Sequence, residues 1–298
     1  MRGRRRRRAR LQAVGLGRAR VLYEPGMPFF KIVVPTLDTV RFSSLLRQAL
    51  TVQLPVFFTG VTGTGKTVVV KSLMERLHPP EEEGGMAVTL IDLNFSARTR
   101  SIDTQRGIEE RLEKKRKNLL GAPAGRRAVI FVDDVNMPAV EEYGAQPPIE
   151  LLRQLVDMGG LYDRDKLFWK EVADATLVVA GAPPGGGRNS VTQRFSRHFH
   201  VLCLPESTDE VLTTIFSSML LGFLRDFDAG VQERGPPVID ATIRMYREIS
   251  ATLRPTPAKS HYLFNLRDVS KVVQGVMRAT RKQVPDAGTF LRLWVHEC

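Results

Sequence analysis

The eight residues Gly60-Val61-Thr62-Gly63-Thr64-Gly65-Lys66-Thr67 constrain this chain more than any other feature. They fit G-x-x-x-x-G-K-[ST] and stand between an apolar run at 56–59 and a helical pattern at 66–78, the context this motif requires. Glycines let successive backbone N–H groups turn inward around phosphate oxygens, and the helix that follows adds partial positive charge at its start. In that geometry Gly60, Gly63, Thr64 and Gly65 form the cradle. Lys66 reaches the β- and γ-phosphates, and the Thr67 hydroxyl ligates Mg²⁺.

A strand–loop–helix unit needs a parallel sheet around it. From Pro35 onward apolar runs alternate with helical patterns, which predicts an α/β core. The strands are expected at 56–59, 88–94, 128–133, 176–181 and 201–204, making a parallel five-stranded sheet. Helices are expected at 66–78, 104–118, 149–158 and 191–198. The 104–118 helix rests on Glu110/Lys114 and Glu113/Lys117 pairs, with Ile108 and Leu112 on one face. The segment 162–169, centred on Asp163-Arg164-Asp165-Lys166, reads as a hairpin inserted before the fourth strand. After Pro205 the strand pattern stops. Three helical patterns follow at 209–227, 239–253 and 267–280, with breaks at Gly230, Gly235, Pro236, Pro237, Pro255 and Pro257. The reading is a sheet unit, 21–205, and an all-helical unit, 206–298. The last stretch, 289–298, begins an amphipathic helix and stops without a cap, which suggests a piece of a longer protein.

The third strand ends in Asp133 and Asp134. In an open α/β sheet, acids at the carboxyl end of a buried strand stand beside the phosphate loop. Asp133 is expected to hold Mg²⁺ and Asp134 to polarise the attacking water. Many such sites carry Glu at the second position. Asp is one methylene shorter, and a misplacement of about 1 Å can lower a rate on the order of 10²-fold. Nucleotide binding is therefore better supported than hydrolysis. The run Ala182–Asn189 holds three consecutive glycines, but Pro183 and Pro184 remove donors and no Lys-bearing helix follows, so it reads as a loop. The five histidines show no metal-ligand spacing beyond the His198/His200 pair, which is expected at a helix–strand junction. No nucleophile elbow or Cys–His arrangement stands out.

The 298 residues carry a formal net charge of +12, which invites a nucleic-acid reading. Nine arginines and no acid lie in 1–20; without them 35 basic residues face 32 acidic ones, a net of +3. The charge belongs to an arm that reads as disordered and solvated. Two cysteines, Cys203 and Cys298, cannot build a disulfide framework, so a reduced, intracellular setting is expected. No apolar run approaches the roughly 20 residues of a membrane helix, and a membrane is not expected as a partner.

The chain from about Tyr23 to Cys298 resembles the AAA+ ATPase modules of axonemal dynein heavy chains, most closely the third. The carriers are Val34-Pro35-Thr36-Leu37-Asp38-Thr39-Val40-Arg41, Leu93-Asn94-Phe95-Ser96-Ala97, Phe131 to Pro138, Tyr143 to Glu150, Ala182 to Asn189, Pro257 to Tyr262 and Asn265-Leu266-Arg267-Asp268. The resemblance implies a P-loop core with a C-terminal helical lid holding ATP or ADP with Mg²⁺ between them. It puts Val34 and Pro35 at the adenine and Arg267 at the second sensor, approaching the γ-phosphate. Arg194, and less surely Arg197, falls where an arginine finger reaches the nucleotide of a neighbouring module. The first-sensor position, often Asn, is Ala182 here, which with Asp134 argues for weak or absent hydrolysis. The implied partners are the neighbouring AAA+ modules, dynein intermediate and light chains and microtubules. The implied setting is the cytoplasm and the axoneme of a cilium or flagellum. The alternative, resting on the arginine arm, is a nucleic-acid-associated AAA+ ATPase resembling a clamp loader.

Overall fold

The computed structural model describes residues 27–29, 32–77, 87–185, 187–259, 262 and 264–298. The arginine arm, Tyr23, His78, Gly186, Ser260 and His261 lie outside the described residues.

The chain passes Val34 and Pro35 to an extended Thr36 and begins helix α1 (Leu37–Thr51). Thr36 caps it: its hydroxyl accepts from the Thr39 amide, and the Thr39 hydroxyl accepts from the Thr36 amide. This capping box satisfies two donors that a helix start leaves open. Strand β1 (Val56–Thr59) runs into the glycine loop and then helix α2 (Lys66–Leu77). Strand β2 (Val88–Asn94), helix α3 (Ser101–Glu109) and the short strands β3 (Glu113–Arg116) and β4 (Leu119–Gly121) follow. Strand β5 (Arg127–Asp133) leads to helix α4 (Pro147–Met158), then β6 (Gly160–Tyr162), β7 (Trp169–Ala173) and β8 (Ala175–Gly181). A single-turn helix α5 (Gln193–Ser196) and strand β9 (His200–Cys203) close the sheet part.

The main sheet has five strands in the order β2-β5-β8-β1-β9, all parallel. Its strands are those expected from the sequence, within a residue at each end. Residues 128–132 of β5 and 176–181 of β8 are buried without interruption, as a sheet covered on both faces demands. Alternate side chains serve opposite faces. Ile130, Val132 and Val179 pack with Ile108 of α3 and Ile149 and Leu152 of α4. Val129, Phe131 and Val178 pack with Leu46 of α1 and Val69 and Val70 of α2.

Two expectations change most. Helix α1 is absent from the sequence reading. The expected helix at 104–118 stops at Glu109, and its second half is the hairpin β3–β4, with a register shift between Lys114 and Arg116. The reason is burial. Ile108 and Leu112 belong to the core, but all four residues of β3 are exposed and give a helix no apolar face to dock. Pairing of β4 with β7 gains the backbone hydrogen bonds that local charge pairs cannot match. Lys115 meets Glu113 at 2.8 Å, and the helical pairs do not form.

The hairpin at 162–169 is present. Strands β6 and β7 are antiparallel, Tyr162 faces Trp169, and their rings meet edge to face at 4.9 Å. Asp163 closes the turn by accepting from the amides of Asp165 and Lys166. Its carboxyl is pulled down to about 2, first by the hydrogen bond from Lys170. Lys170 also reaches Glu109, which ties the hairpin to α3. These four short strands form a second sheet, β3-β4-β7-β6.

Beyond β9 come α6 (Asp209–Leu224), α7 (Ala229–Gln232), α8 (Gly235–Thr252), α9 (Leu266–Val276) and α10 (Ala287–Glu297). Gly235, Pro236 and Pro237, read as a break, form the first turn of α8, where a missing proline N–H has no consequence. The helices share a core of Leu212, Phe216, Ile239, Val273 and Phe290, and Val34 from the entering chain is part of it. Trp294 of α10 donates its indole N–H to Thr242 of α8 at 2.9 Å. Among the described residues no helix is long and apolar enough to cross a membrane.

Phe131 is fully buried on β5, between β2 and β8. Phe131→Ala is expected to lower unfolding stability by about 3–5 kcal/mol in a urea titration. A loss under about 1 kcal/mol contradicts this placement of the core.

Candidate functional site

The phosphate loop lies at the carboxyl end of β1, flanked by the ends of β8 and β9. Its shape is fixed by what presses on it. The Leu204 amide donates to the Thr59 carbonyl, bringing the chain that leaves β9 against the loop. A Cβ on Gly60 (φ +145°) would lie 2.6 Å from the Leu204 carbonyl oxygen, so only glycine fits. Gly63 (φ +90°) faces Leu266 at the start of α9, where a Cβ would lie 3.4 Å from the backbone. The lid helix therefore stands directly over the loop. Gly65 turns the chain into α2, and the Thr64 hydroxyl donates to the Val61 carbonyl at 3.0 Å.

Lys66, the first residue of α2, is 8% exposed. Its ammonium donates to the carbonyls of Gly60 and Val61, each at 2.8 Å, and so spans the loop. Burial pulls its pKa below the ordinary lysine value. Asp133 and Asp134 oppose that shift, and Arg188 and Arg267 add to it. Two carboxylates and two guanidinium groups thus share one electrostatic neighbourhood with Lys66.

The Thr67 hydroxyl donates to Asp133 Oδ2 at 2.6 Å. The amides of Phe95 and Val135 bond to the Asp133 and Ala180 carbonyls, fixing the end of β5 to β2 and β8. Asp134 has φ +50°, a left-handed conformation that aspartate tolerates better than most residues. Its amide donates to Asp133 Oδ1 at 3.0 Å, and its carboxylate stands 3.9 Å from Arg188 Nε. At the end of β8, Ala182 offers only its carbonyl, which accepts from Asn136 Nδ2 at 2.8 Å.

The loops behind the site are locked together by three amides. Asn136 is 1% exposed and also donates to the Asn189 carbonyl at 3.2 Å. Asn189 and Gln146 both donate to the Pro138 carbonyl, at 2.8 and 2.7 Å. These residues sit inside strings that carried the family resemblance, yet no role was read for them there. Arg188 was missed in the same way. A charged residue after the glycines that follow β8 was the available signal.

On the other side of the loop is a cavity of about 220 Å³, lined by Val34, Thr36, Gly63, Val68, Leu212 and Phe216 among others. Its apolar walls suit a flat heteroaromatic base. Val34 lines it. Pro35 does not; it lines an adjoining cavity with Ser43, Arg47 and Arg76.

Arg267 is exposed on the first turn of α9, whose start is capped by Asn265 and Asp268. Its charge reaches Lys66. Arg194 and Arg197 are exposed on and just after α5, which is anchored by the fully buried Phe195 packed on Phe199. Neither arginine lines this site's cavity. His198 and His200 lie at the helix–strand junction, and His198 accepts from Arg197 Nε. Among the described residues no group of three or more His, Cys, Asp or Glu gathers. Thr67 and Asp133 supply a hydroxyl and a carboxylate side by side. That donor set suits a hard cation whose remaining positions go to phosphate and water.

A parallel sheet, a phosphate loop at its carboxyl edge and a helical cap over that loop define a P-loop AAA+ nucleotide-binding unit. The family profile of P-loop containing dynein motor regions matches residues 21–207, and that of the AAA+ lid domain matches 238–298. The chain belongs to the family of P-loop containing dynein motor regions. It is similar to Dynein axonemal heavy chain 6 of Homo sapiens, 51% identical over 276 residues, covering 93% of this chain and 6% of that protein. Dynein axonemal heavy chain 1 of Homo sapiens is 44% identical over 288 residues, 92% of this chain and 7% of that protein. Dynein axonemal heavy chain 3 of Mus musculus is 43% identical over 267 residues, 89% and 6%. The chain thus spans 6–7% of the length of these relatives.

Asn136 tests the locked loops. Asn136→Ala leaves the buried Ala182 carbonyl and the half-buried Asn189 carbonyl without their donor and is expected to destabilise the fold by about 1–3 kcal/mol. Asn136→Asp, which sets a carboxylate against those carbonyls, should do at least as much harm. Chemical denaturation of both variants reads this directly. An Asp variant as stable as the parent contradicts the donor role.

Proposed function

We propose that this chain is an ATP- or ADP-binding AAA+ module of an axonemal dynein heavy chain, with Mg²⁺ as the metal. The observation that carries the reading is Lys66 lying across the glycine loop while Thr67 meets Asp133 at 2.6 Å. Lys66 and the loop amides would hold the β- and γ-phosphates. Thr67 and Asp133 would hold Mg²⁺, which supplies charge neutralisation between those phosphates. Val34 and the apolar walls around it would take the adenine. Arg267 would approach the phosphates from the lid, making lid position depend on what is bound. On this reading 21–205 is the nucleotide-binding core and 206–298 the lid.

Within the ring the module is a regulatory or structural one with weak or absent hydrolysis of its own, in the third position. Two features support this. Asp134 is a methylene shorter than the Glu usual for a base, and Ala182 has no side chain to orient a water. Arg194, with Arg197 beside it, would serve the nucleotide of a neighbouring module. An arginine supplied in trans can raise phosphoryl transfer on the order of 10³–10⁵-fold. The partners would be the neighbouring AAA+ modules and, through the whole motor, intermediate and light chains and microtubules, in the cytoplasm and the axoneme.

Isothermal titration with ADP·Mg tests the reading. The parent should bind, and Lys66→Ala should weaken binding at least about tenfold, as losing a charged donor to phosphate implies. Equal affinity of the two proteins would sink it. In a phosphate-release assay, Asp134→Glu should raise the low parental turnover about tenfold or more. No rise means that the short carboxylate is not what limits hydrolysis.

A further inference from the structure

Arg188 is a cation held in place without a full set of partners. Its backbone is fixed on both sides. Its amide and carbonyl exchange hydrogen bonds with Gly185 at 3.1 and 3.0 Å, and the next residue, Asn189, is tied to Asn136 and Pro138. The side chain is 22% exposed, and its Nε is buried with no hydrogen-bond partner. The nearest carboxylate oxygen, on Asp134, is 3.9 Å away, within ion-pair range and beyond a hydrogen bond. A buried guanidinium donor left open is unusual, because its desolvation is otherwise uncompensated.

The position of this open donor is informative. Asp134 follows Asp133, which meets Thr67, so Arg188 lies on the metal and terminal-phosphate side of the loop. It does not line the apolar cavity on the opposite side. The end of β8 carries Ala182, whose side chain cannot hydrogen-bond anything. We propose that Arg188 reads the terminal phosphate of a bound nucleoside triphosphate in cis, filling the role that Ala182 leaves without a polar group. The inference rests on the reading of this site as one for a Mg²⁺–nucleotide. The guanidinium is a planar fork that pairs with two phosphate oxygens, whereas a diphosphate ends short of it. Arg188 therefore distinguishes triphosphate from diphosphate. Because its loop is locked to Asn136 and Asn189, that distinction is felt along the β5–α4 connection.

The test is equilibrium binding by the full chain of two Mg²⁺ nucleotides, ADP and the non-hydrolysable triphosphate AMP-PNP, by competition against a fluorescent ADP. Arg188→Ala should lose on the order of tenfold to a hundredfold in AMP-PNP affinity and less than about threefold in ADP affinity. Arg188→Lys, which keeps charge without the fork, should fall between the parent and Ala for AMP-PNP. Thermal unfolding of both variants accompanies the titrations. Equal losses for the two nucleotides, or none for AMP-PNP in a folded variant, overturn the inference. Absence of binding by the parent, with Lys66→Ala indistinguishable from it, instead removes the nucleotide reading beneath it.

Discussion

A single buried ammonium organises the site. Lys66 is desolvated at the mouth of α2, and its charge is made tolerable by two loop carbonyls at 2.8 Å and by the acids at the end of β5. An unpaired buried charge is strongly unfavourable, so each of these partners must be in place. The carbonyls are in place because Gly60 and Gly63 let the loop fold back on itself under Leu204 and Leu266. The acids are in place because β5 is a buried strand pinned between β2 and β8. On the proposed reading, phosphate oxygens replace the carbonyls that now hold the lysine.

The same loop joins the two halves of the molecule. Gly63 lies against the first turn of α9, and Val34, from the stretch that leads into the sheet part, is buried in the helical core. The apolar cavity is built from both sides, with Val68 from α2 and Leu212 and Phe216 from α6. A ligand filling it would contact both halves at once, and that shared contact is what can convert occupancy into a change of lid position. Asp133, Asp134 and Arg188 do not line that cavity.

The parallel sheet and the phosphate loop were legible because both depend on local signals: continuous apolar runs, fixed glycine spacing and a Lys-Thr pair. The lid helices were legible from their apolar periodicity. Helix α1 was passed over although Phe42, Leu46, Ala49 and Leu50 stand at helical spacing, because its start is a Thr36/Thr39 box without the usual Glu or Gln. The β3–β4 hairpin was misread because Glu113 to Lys117 has helix-like charge spacing, and only pairing with β7, more than fifty residues away, decides otherwise. Pro35 was placed at the adenine by resemblance, and it lines the adjoining cavity while Val34 lines the apolar one. Asn136, Gln146 and Arg188 lie inside the strings that carried the resemblance, but the carbonyls that Asn136 and Gln146 reach are set by where the loops after β5 and β8 meet.

Hydrogen exchange with and without ADP·Mg is the most direct test of the central claim, that nucleotide is held between the phosphate loop and the lid. The account predicts added protection in two separated places, residues 60–67 and the first turn of α9 at 265–268. Protection of neither segment, or binding that protects only surfaces remote from both, would contradict it.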